Sequence, residues 1–204
     1  MMLCLTICVF AGCQDKNPAT PSGDSTTAID YVAKTKLVME SNTKKQEVTV
    51  KSYIDGDTTH FDVSKSVSET GVLKARYLAI NTPETTGKVE PWGKKAAAFT
   101  AEKLSSATSI ILESDNGTWN PDSTGDRYLV WVWYKPEGAT EYRNLNIEIL
   151  QNGLAIASNS ANNRYGDTCM AAINQAKNQK LHVYSGQKDP DFYYGEATEL
   201  TLKE

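Results

Sequence analysis

The sequence predicts an α+β domain made mainly of short strands, on three observations. Alternating apolar and polar residues run from Lys45 to Val63 and are interrupted by Asp55-Gly56, the pattern of two strands joined by a turn. Residues 128–134, Tyr-Leu-Val-Trp-Val-Trp-Tyr, are apolar on both faces, as a central strand must be. Two other stretches, one after Trp92 and one after Cys169, space their apolar residues for a helix. Periodicity by itself gives a mixture of α and β and no topology. A chain of 204 residues, 40% hydrophobic and 23% charged, has the size and composition of one core with appendages.

Taken in order, Val48, Val50 and Tyr53 with polar neighbours mark a first strand, and Thr58 to Val63 a second. Residues 64–71 form a polar hairpin loop. Val72 to Ile80 reads as a third strand, ended by Pro83, which cannot continue a ladder. Ala96, Phe99, Thr100, Lys103 and Leu104 lie at helical spacing between Trp92 and Ala107, and Ser109 to Glu113 is a short β-branched run. Pro136-Glu137-Gly138 turns the central strand. Asn144 to Gln151 is a short helix stopped by Asn152-Gly153, and Leu154 to Ala157 a short strand. Cys169, Ala172, Ile173, Ala176 and Leu181 give the apolar stripe of a closing helix. Trp131 and Trp133 alternate on one strand face and belong in a core, as does Cys169.

The two ends read differently from the middle. Cys4, Cys8 and Cys13 fall within an apolar run too short to cross a bilayer, which fits the hydrophobic part of a secretory signal over residues 1–13. Ala11-Gly12-Cys13 resembles a bacterial lipobox, so Cys13 is the expected lipidation site; a plain cleaved signal is the alternative. Residues 14–44 begin with a polar stretch rich in Pro, Ser, Thr and Gly and are expected to form a flexible linker between anchor and domain. Residues 187–204 are a C-terminal tail without an evident role. The expected location is the outer face of a cell membrane, with the membrane engaged only through the lipid. A formal net charge of -4 gives no basic footprint, so long-range attraction cannot be the main route to a nucleic-acid substrate, and local arginines and a metal would have to do that job.

Chemistry concentrates in three segments. Ile54-Asp55-Gly56-Asp57-Thr58-Thr59 is an acidic turn able to offer oxygen ligands to a hard cation. Arg76-Tyr77-Leu78-Ala79-Ile80-Asn81-Thr82-Pro83-Glu84 joins an arginine to a carboxylate, a phosphate clamp followed by a proton acceptor. Gly125-Asp126-Arg127 brings a second arginine to the start of the central strand. Each alone has a plainer reading: Asp55-Gly56 as a hairpin turn with Asp57 solvated, Asn81-Pro83 as a turn, and the arginines as surface ion pairs. Gly56 is expected to adopt a positive φ that aims Asp57 inward. His60 and His182 are far apart, and neither a zinc spacing nor a Ser-His-Asp arrangement can be built from them.

Taken together, the segments resemble the staphylococcal nuclease family, over residues 45–186. The resemblance implies a five-stranded Greek-key barrel of the OB type capped by about three helices. It implies a calcium ion held by Asp57, Asn81 and the carbonyl of Thr82, with Glu84 as the base that activates water and Arg76 and Arg127 on the scissile phosphate. The implied activity is calcium-dependent hydrolysis of DNA, with RNA open as a second substrate, to 3′-phosphorylated products by a monomer. Position 81 is more often Asp in the family; Asn brings no charge, which should lower calcium affinity. Asn159 and Ala161 stand where the family has aromatic residues, and Thr124-Gly125 where it has a Lys-Tyr pair. The contrasting expectation is a non-catalytic barrel that binds nucleic acid or protein at the cell surface.

Overall fold

A computed structural model describes residues 28–195. The expected signal segment, Cys13 and the ends of the expected linker and tail lie outside the described residues. The first strands form a meander: β1 (Lys45–Tyr53), β2 (Thr58–Asp62) and β3 (Val72–Tyr77), each antiparallel to the next. Leu73, Ala75 and Tyr77 of β3 are buried while Val72, Lys74 and Arg76 are only partly covered, so the period-2 pattern sorts core from surface. A two-residue strand, β4 (Ile80–Asn81), and helix α2 (Gly93–Ser105) lead into β5 (Ala107–Glu113), which pairs antiparallel with β1. The expected strand from Val72 to Ile80 therefore breaks in two, because Ala79 turns the chain at φ 71°.

Closure depends on β7 (Tyr128–Pro136), which follows the two-residue β6 (Asn120–Pro121). It pairs antiparallel with β5 and parallel with β3, and this joins β1, β2, β3, β7 and β5 into a closed five-strand barrel. The fold class is thus the expected α+β OB-type barrel. Burial on both faces explains the apolar run: Val130, Trp131, Val132 and Trp133 are fully enclosed. Tyr165 packs edge-on against both tryptophans, with centroids at 4.9 and 5.6 Å. The indole N–H groups donate to Asp115 and Glu113, so the rings are buried with no lost hydrogen bond.

Short β8 (Arg143–Asn144) leads into α3 (Leu145–Gln151), whose first turn is capped by the Asn144 side chain. After the two-residue β9 (Ile156–Ala157), which pairs with β4, helix α4 (Gly166–Asn178) closes the body against α3. Gly153 ends α3 at φ 65°, and an added Cβ would lie 2.7 Å from the Leu181 carbonyl oxygen, so both backbone shape and space require glycine.

The expected linker needs correction over its described part. Helix α1 (Tyr31–Lys34), capped by Asp30, buries Val32 and lies against α3 and α4. Gln151 and Gln175 bind the backbone of Tyr31 and Ile29, and Arg143 pairs with Asp30. Apolar Val32 and Leu37 break the polar composition, and they anchor this stretch to the helices.

Asn146 ties the helical layer to the barrel. Its amide donates to the carbonyls of Leu78 (2.9 Å) and Val130 (3.0 Å), and its oxygen accepts from Val132 N (2.9 Å). These backbone groups sit where β3 has ended and the β7 ladder loses a neighbour. Asn146→Ala should leave buried donors and acceptors without partners, at about 1–3 kcal/mol for such a group. Urea unfolding should show a loss of about 3 kcal/mol at unchanged m; a loss under 1 kcal/mol would mean that water replaces the amide.

Candidate active site

Asp57 is fully buried at the entry to β2. Its main-chain N–H donates to Asp55 Oδ1 at 3.0 Å, and its carbonyl accepts from Tyr77 N at 2.8 Å. Gly56 does not adopt the expected positive φ. Glycine is needed here for space: an added Cβ would fall 2.8 Å from Thr82 Cγ2 and 2.9 Å from Ala96 Cβ. The turn is wedged between the 81–82 strand exit and α2, whose Thr100 hydroxyl donates to Gly56 O at 2.6 Å.

The β2–β3 register sets Thr58 opposite Arg76, which brings the guanidinium beside Asp57. Arg76 Nη1 donates to Asp57 Oδ1, and Nη2 donates to Asn81 Oδ1 at 2.6 Å. Asp57 Oδ2 accepts from the Thr82 main-chain N–H at 2.8 Å, and the Thr58 hydroxyl reaches Oδ1 at 3.1 Å. Four of the expected site residues, Asp57, Arg76, Asn81 and Thr82, thus form one connected cluster. Burial pushes the Asp57 carboxyl up to about 7; Arg76 and the Thr82 N–H oppose that rise and Asp55 adds to it.

Glu84 lies on the exposed loop after Pro83, three positions beyond Asn81. Its backbone is fixed: Glu90 N donates to Glu84 O at 2.9 Å, and Glu84 N donates to Glu90 Oε2 at 3.2 Å. The first residue of α2, Gly93, lies so close that a Cβ would come 2.5 Å from Glu84 O. The Glu84 carboxylate itself makes no hydrogen bond or ion pair among the described residues. A fixed backbone with an unengaged, solvated carboxylate suits a proton acceptor.

Arg127 is not joined to this cluster. It pairs with Asp122, with Nε at 2.7 Å and Nη2 at 2.6 Å from Oδ2, across the turn before β7. Although burial raises the Asp122 carboxyl, hydrogen bonds from Thr124 and Arg127 carry it below its usual range. The parallel pairing of β7 with β3 sets Leu129 opposite Arg76, so Arg127, one residue before β7 begins, lies at the entry to the strand beside that of Arg76. Sequence reading passed over Asp55, which is buried beside Asp57, and Gly93, whose role is visible only once α2 is docked. His182 sits edge-on to Trp92 at 5.2 Å and takes no part in the cluster.

Asp57 and Asn81 direct oxygens to one guanidinium, so a positive charge is already favoured where they converge. An oxygen-only set of carboxylate, amide and main-chain carbonyl fits a hard cation such as calcium, with little formal charge. Among the described residues, no cluster of three or more His, Cys, Asp and Glu side chains is arranged to hold a metal.

The fold and the site define a class: an OB-type barrel whose closing strands present a buried carboxylate, an arginine and an amide at one corner. The family model described as staphylococcal nuclease homologue matches residues 74–185, more than half of the chain, and the chain belongs to that family. This is a family of nucleases, that is, phosphodiester hydrolases acting on nucleic acid. The match takes in Arg76, Asn81, Thr82, Glu84 and Arg127; Asp57 lies before it and residues 186–195 after it.

Because the folded protein holds the Asp57 proton more tightly than the unfolded chain, this group's stabilisation is complete below about pH 4 and is lost as pH rises through about 7. Removing the guanidinium enlarges that loss. Arg76→Met should cost about 3 kcal/mol at pH 8, where it strands a buried carboxylate, and markedly less at pH 5. Equal losses at both pH values in denaturant titrations would show that Arg76 acts through packing alone.

Proposed function

We propose that this protein is a calcium-dependent extracellular nuclease that hydrolyses DNA, and RNA as a second substrate, to 3′-phosphorylated products. The observation that carries this reading is the convergence of Asp57, Arg76 and Asn81, with Glu84 held just beyond them on a fixed loop. Arg76 uses two of its five N–H donors on Asp57 and Asn81 and is partly exposed, which leaves donors for two phosphate oxygens. Arg127, held by Asp122 across its Nε edge, retains N–H donors of its own for the same diester.

Asp57, Asn81 and the Thr82 carbonyl are the residues that would hold calcium. Bound there, calcium supplies charge that polarises the phosphoryl oxygen and helps to place water. Glu84 accepts the proton of that water as it attacks phosphorus in line, and the 5′ oxygen leaves to solvent. Arg76 and Arg127 balance the charge that builds on the equatorial oxygens. A secretory signal and acylation at Cys13 would place the enzyme at the outer membrane face, where calcium is abundant enough to offset a neutral ligand at position 81.

Single-stranded DNA in millimolar calcium should be cut by the purified protein, spared in excess chelator, and spared by Glu84→Gln, which should still fold. Cleavage by Glu84→Gln near the parent rate would remove Glu84 as the base. No cleavage by the folded parent at high calcium would favour a non-catalytic binding barrel.

Calcium binding to the native state should also raise the melting temperature, because a ligand that binds only the folded form stabilises it. The rise should be larger at pH 8 than at pH 6, since the cation competes with the Asp57 proton. A shift independent of pH would place the ion on other ligands.

A further inference from the structure

The segment that follows the family match is built onto the body beside the candidate site. Asp189 is buried, and its Oδ2 accepts from the Trp92 main-chain N–H at 2.6 Å while Oδ1 accepts from Asp191 N at 3.0 Å. The main-chain N–H of Asp189 donates to the Tyr194 hydroxyl at 2.9 Å, and Phe192 packs on Tyr194 with centroids 4.7 Å apart. Trp92, at the start of α2, takes a left-handed φ of 68°, unusual for so bulky a residue, and Asp189 holds it there.

Trp92, Phe192 and Tyr194 line a cleft of ≈ 920 Å³ that Asn81 and Thr82 also line. Ile156, 49% exposed and paired across the β4–β9 ladder with Asn81, lines it as well. Lys88 and Lys188 are among its lining residues, and Lys188 Nζ stands 5.1 Å from the Tyr194 ring centre. The acidic groups nearby are engaged: Asp189 holds backbone N–H groups, and Glu90 accepts from Glu84 N. An aromatic-lined cleft that also takes in a lysine and reaches Asn81 and Thr82 has the chemistry of a nucleobase site.

We propose that this cleft is a substrate subsite, in which an unstacked base next to the cleaved bond lies against Trp92, Phe192 and Tyr194 while Lys88 follows the backbone. This inference rests on the nuclease reading above. It makes single-stranded nucleic acid the substrate, because a paired base cannot enter an aromatic trough. It gives residues 186–195 a role in binding.

The test uses the full chain carrying Glu84→Gln, a labelled oligothymidine and an abasic oligomer of equal length, with affinity read by fluorescence anisotropy. The parent should favour the base-bearing strand; Phe192→Ala with Tyr194→Ala should lose about tenfold for oligothymidine and nothing for the abasic strand. Phe192→Tyr should keep the preference. Equal affinities with and without the rings would overturn the proposal. Cleavage by the Glu84 form is followed in parallel: an unchanged KM after ring removal would sink the subsite and leave the nuclease standing, whereas a parent that neither binds nor cuts would end both. Should ring removal unfold the protein, photocrosslinking of 5-iodouridine-substituted DNA to the unaltered chain decides. Crosslinks at Trp92 or within residues 186–195 support the subsite, and crosslinks only elsewhere overturn it.

Discussion

The buried carboxylate of Asp57 is the constraint around which the rest of the site is arranged. An isolated carboxylate out of contact with water is costly, and here it is offset by an arginine on one oxygen and a main-chain N–H on the other. Each compensation fixes a different element. Arg76 ties down the end of β3, Thr82 ties down the chain after β4, and Asp55 shapes the turn itself. Gly56 must lack a side chain because Thr82 and α2 come within contact of it. Asn146 completes the corner from the other side by holding Leu78 and β7. Elements distant in sequence therefore meet at one charge, and the corner between β3 and β4 has little freedom to move.

A second buried carboxylate shows what a purely structural acid looks like. Glu113 is also fully enclosed, yet its oxygens accept from Thr43 Oγ1, Trp133 Nε1 and the Tyr165 hydroxyl at 2.7–2.9 Å, with Lys45 and Arg164 within 3.9 Å. Three neutral donors, two hydroxyls and an indole, satisfy its oxygens directly, and its nearer cation, Arg164, stands 3.7 Å away. Beside Asp57 the arginine is itself the hydrogen-bond donor, and it keeps unused N–H groups. Burial and charge are common to both groups; the difference is that neutral hydroxyl and indole donors satisfy Glu113, whereas an arginine with donors to spare satisfies Asp57. That distinction separates a site from a brace more sharply than the presence of an ion pair does.

Much of this was legible in the sequence because local chemistry dictated it. The doubly apolar run at 128–134 had to be central, and the alternation in Val72 to Tyr77 had to put Arg76 on the outer face and Tyr77 within. Closure of the barrel through a parallel β3–β7 pairing was not legible from periodicity, since it joins strands separated by a helix and three strands; the family resemblance supplied the barrel. Gly56 was read for the wrong reason, because an Asp-Gly pair signals a turn and cannot reveal a helix packed against it. Likewise the anchoring of residues 28–44 hangs on a single buried valine and two distant glutamines, and the partner of Arg127 is a nearby aspartate that looked like ordinary turn chemistry. Contacts made by folding, not by spacing, account for these gaps.

The neutral residue at position 81 has a consequence for charge at the corner. A carboxylate in place of Asn81 would sit on Arg76 Nη2 and share the guanidinium with Asp57, adding a like charge to a site where Asp55 already raises the Asp57 carboxyl. It would strengthen a cation's hold and at the same time cancel more of the positive charge of Arg76 toward an incoming phosphate. Asparagine keeps an oxygen in the same place, where it orients the guanidinium through a hydrogen bond without neutralising it. In a protein whose net charge is -4, and which therefore repels a polyanion at long range, preserving that local positive charge matters more than in a basic one. Asparagine at this position therefore leaves more of the positive charge of Arg76 in place than aspartate would.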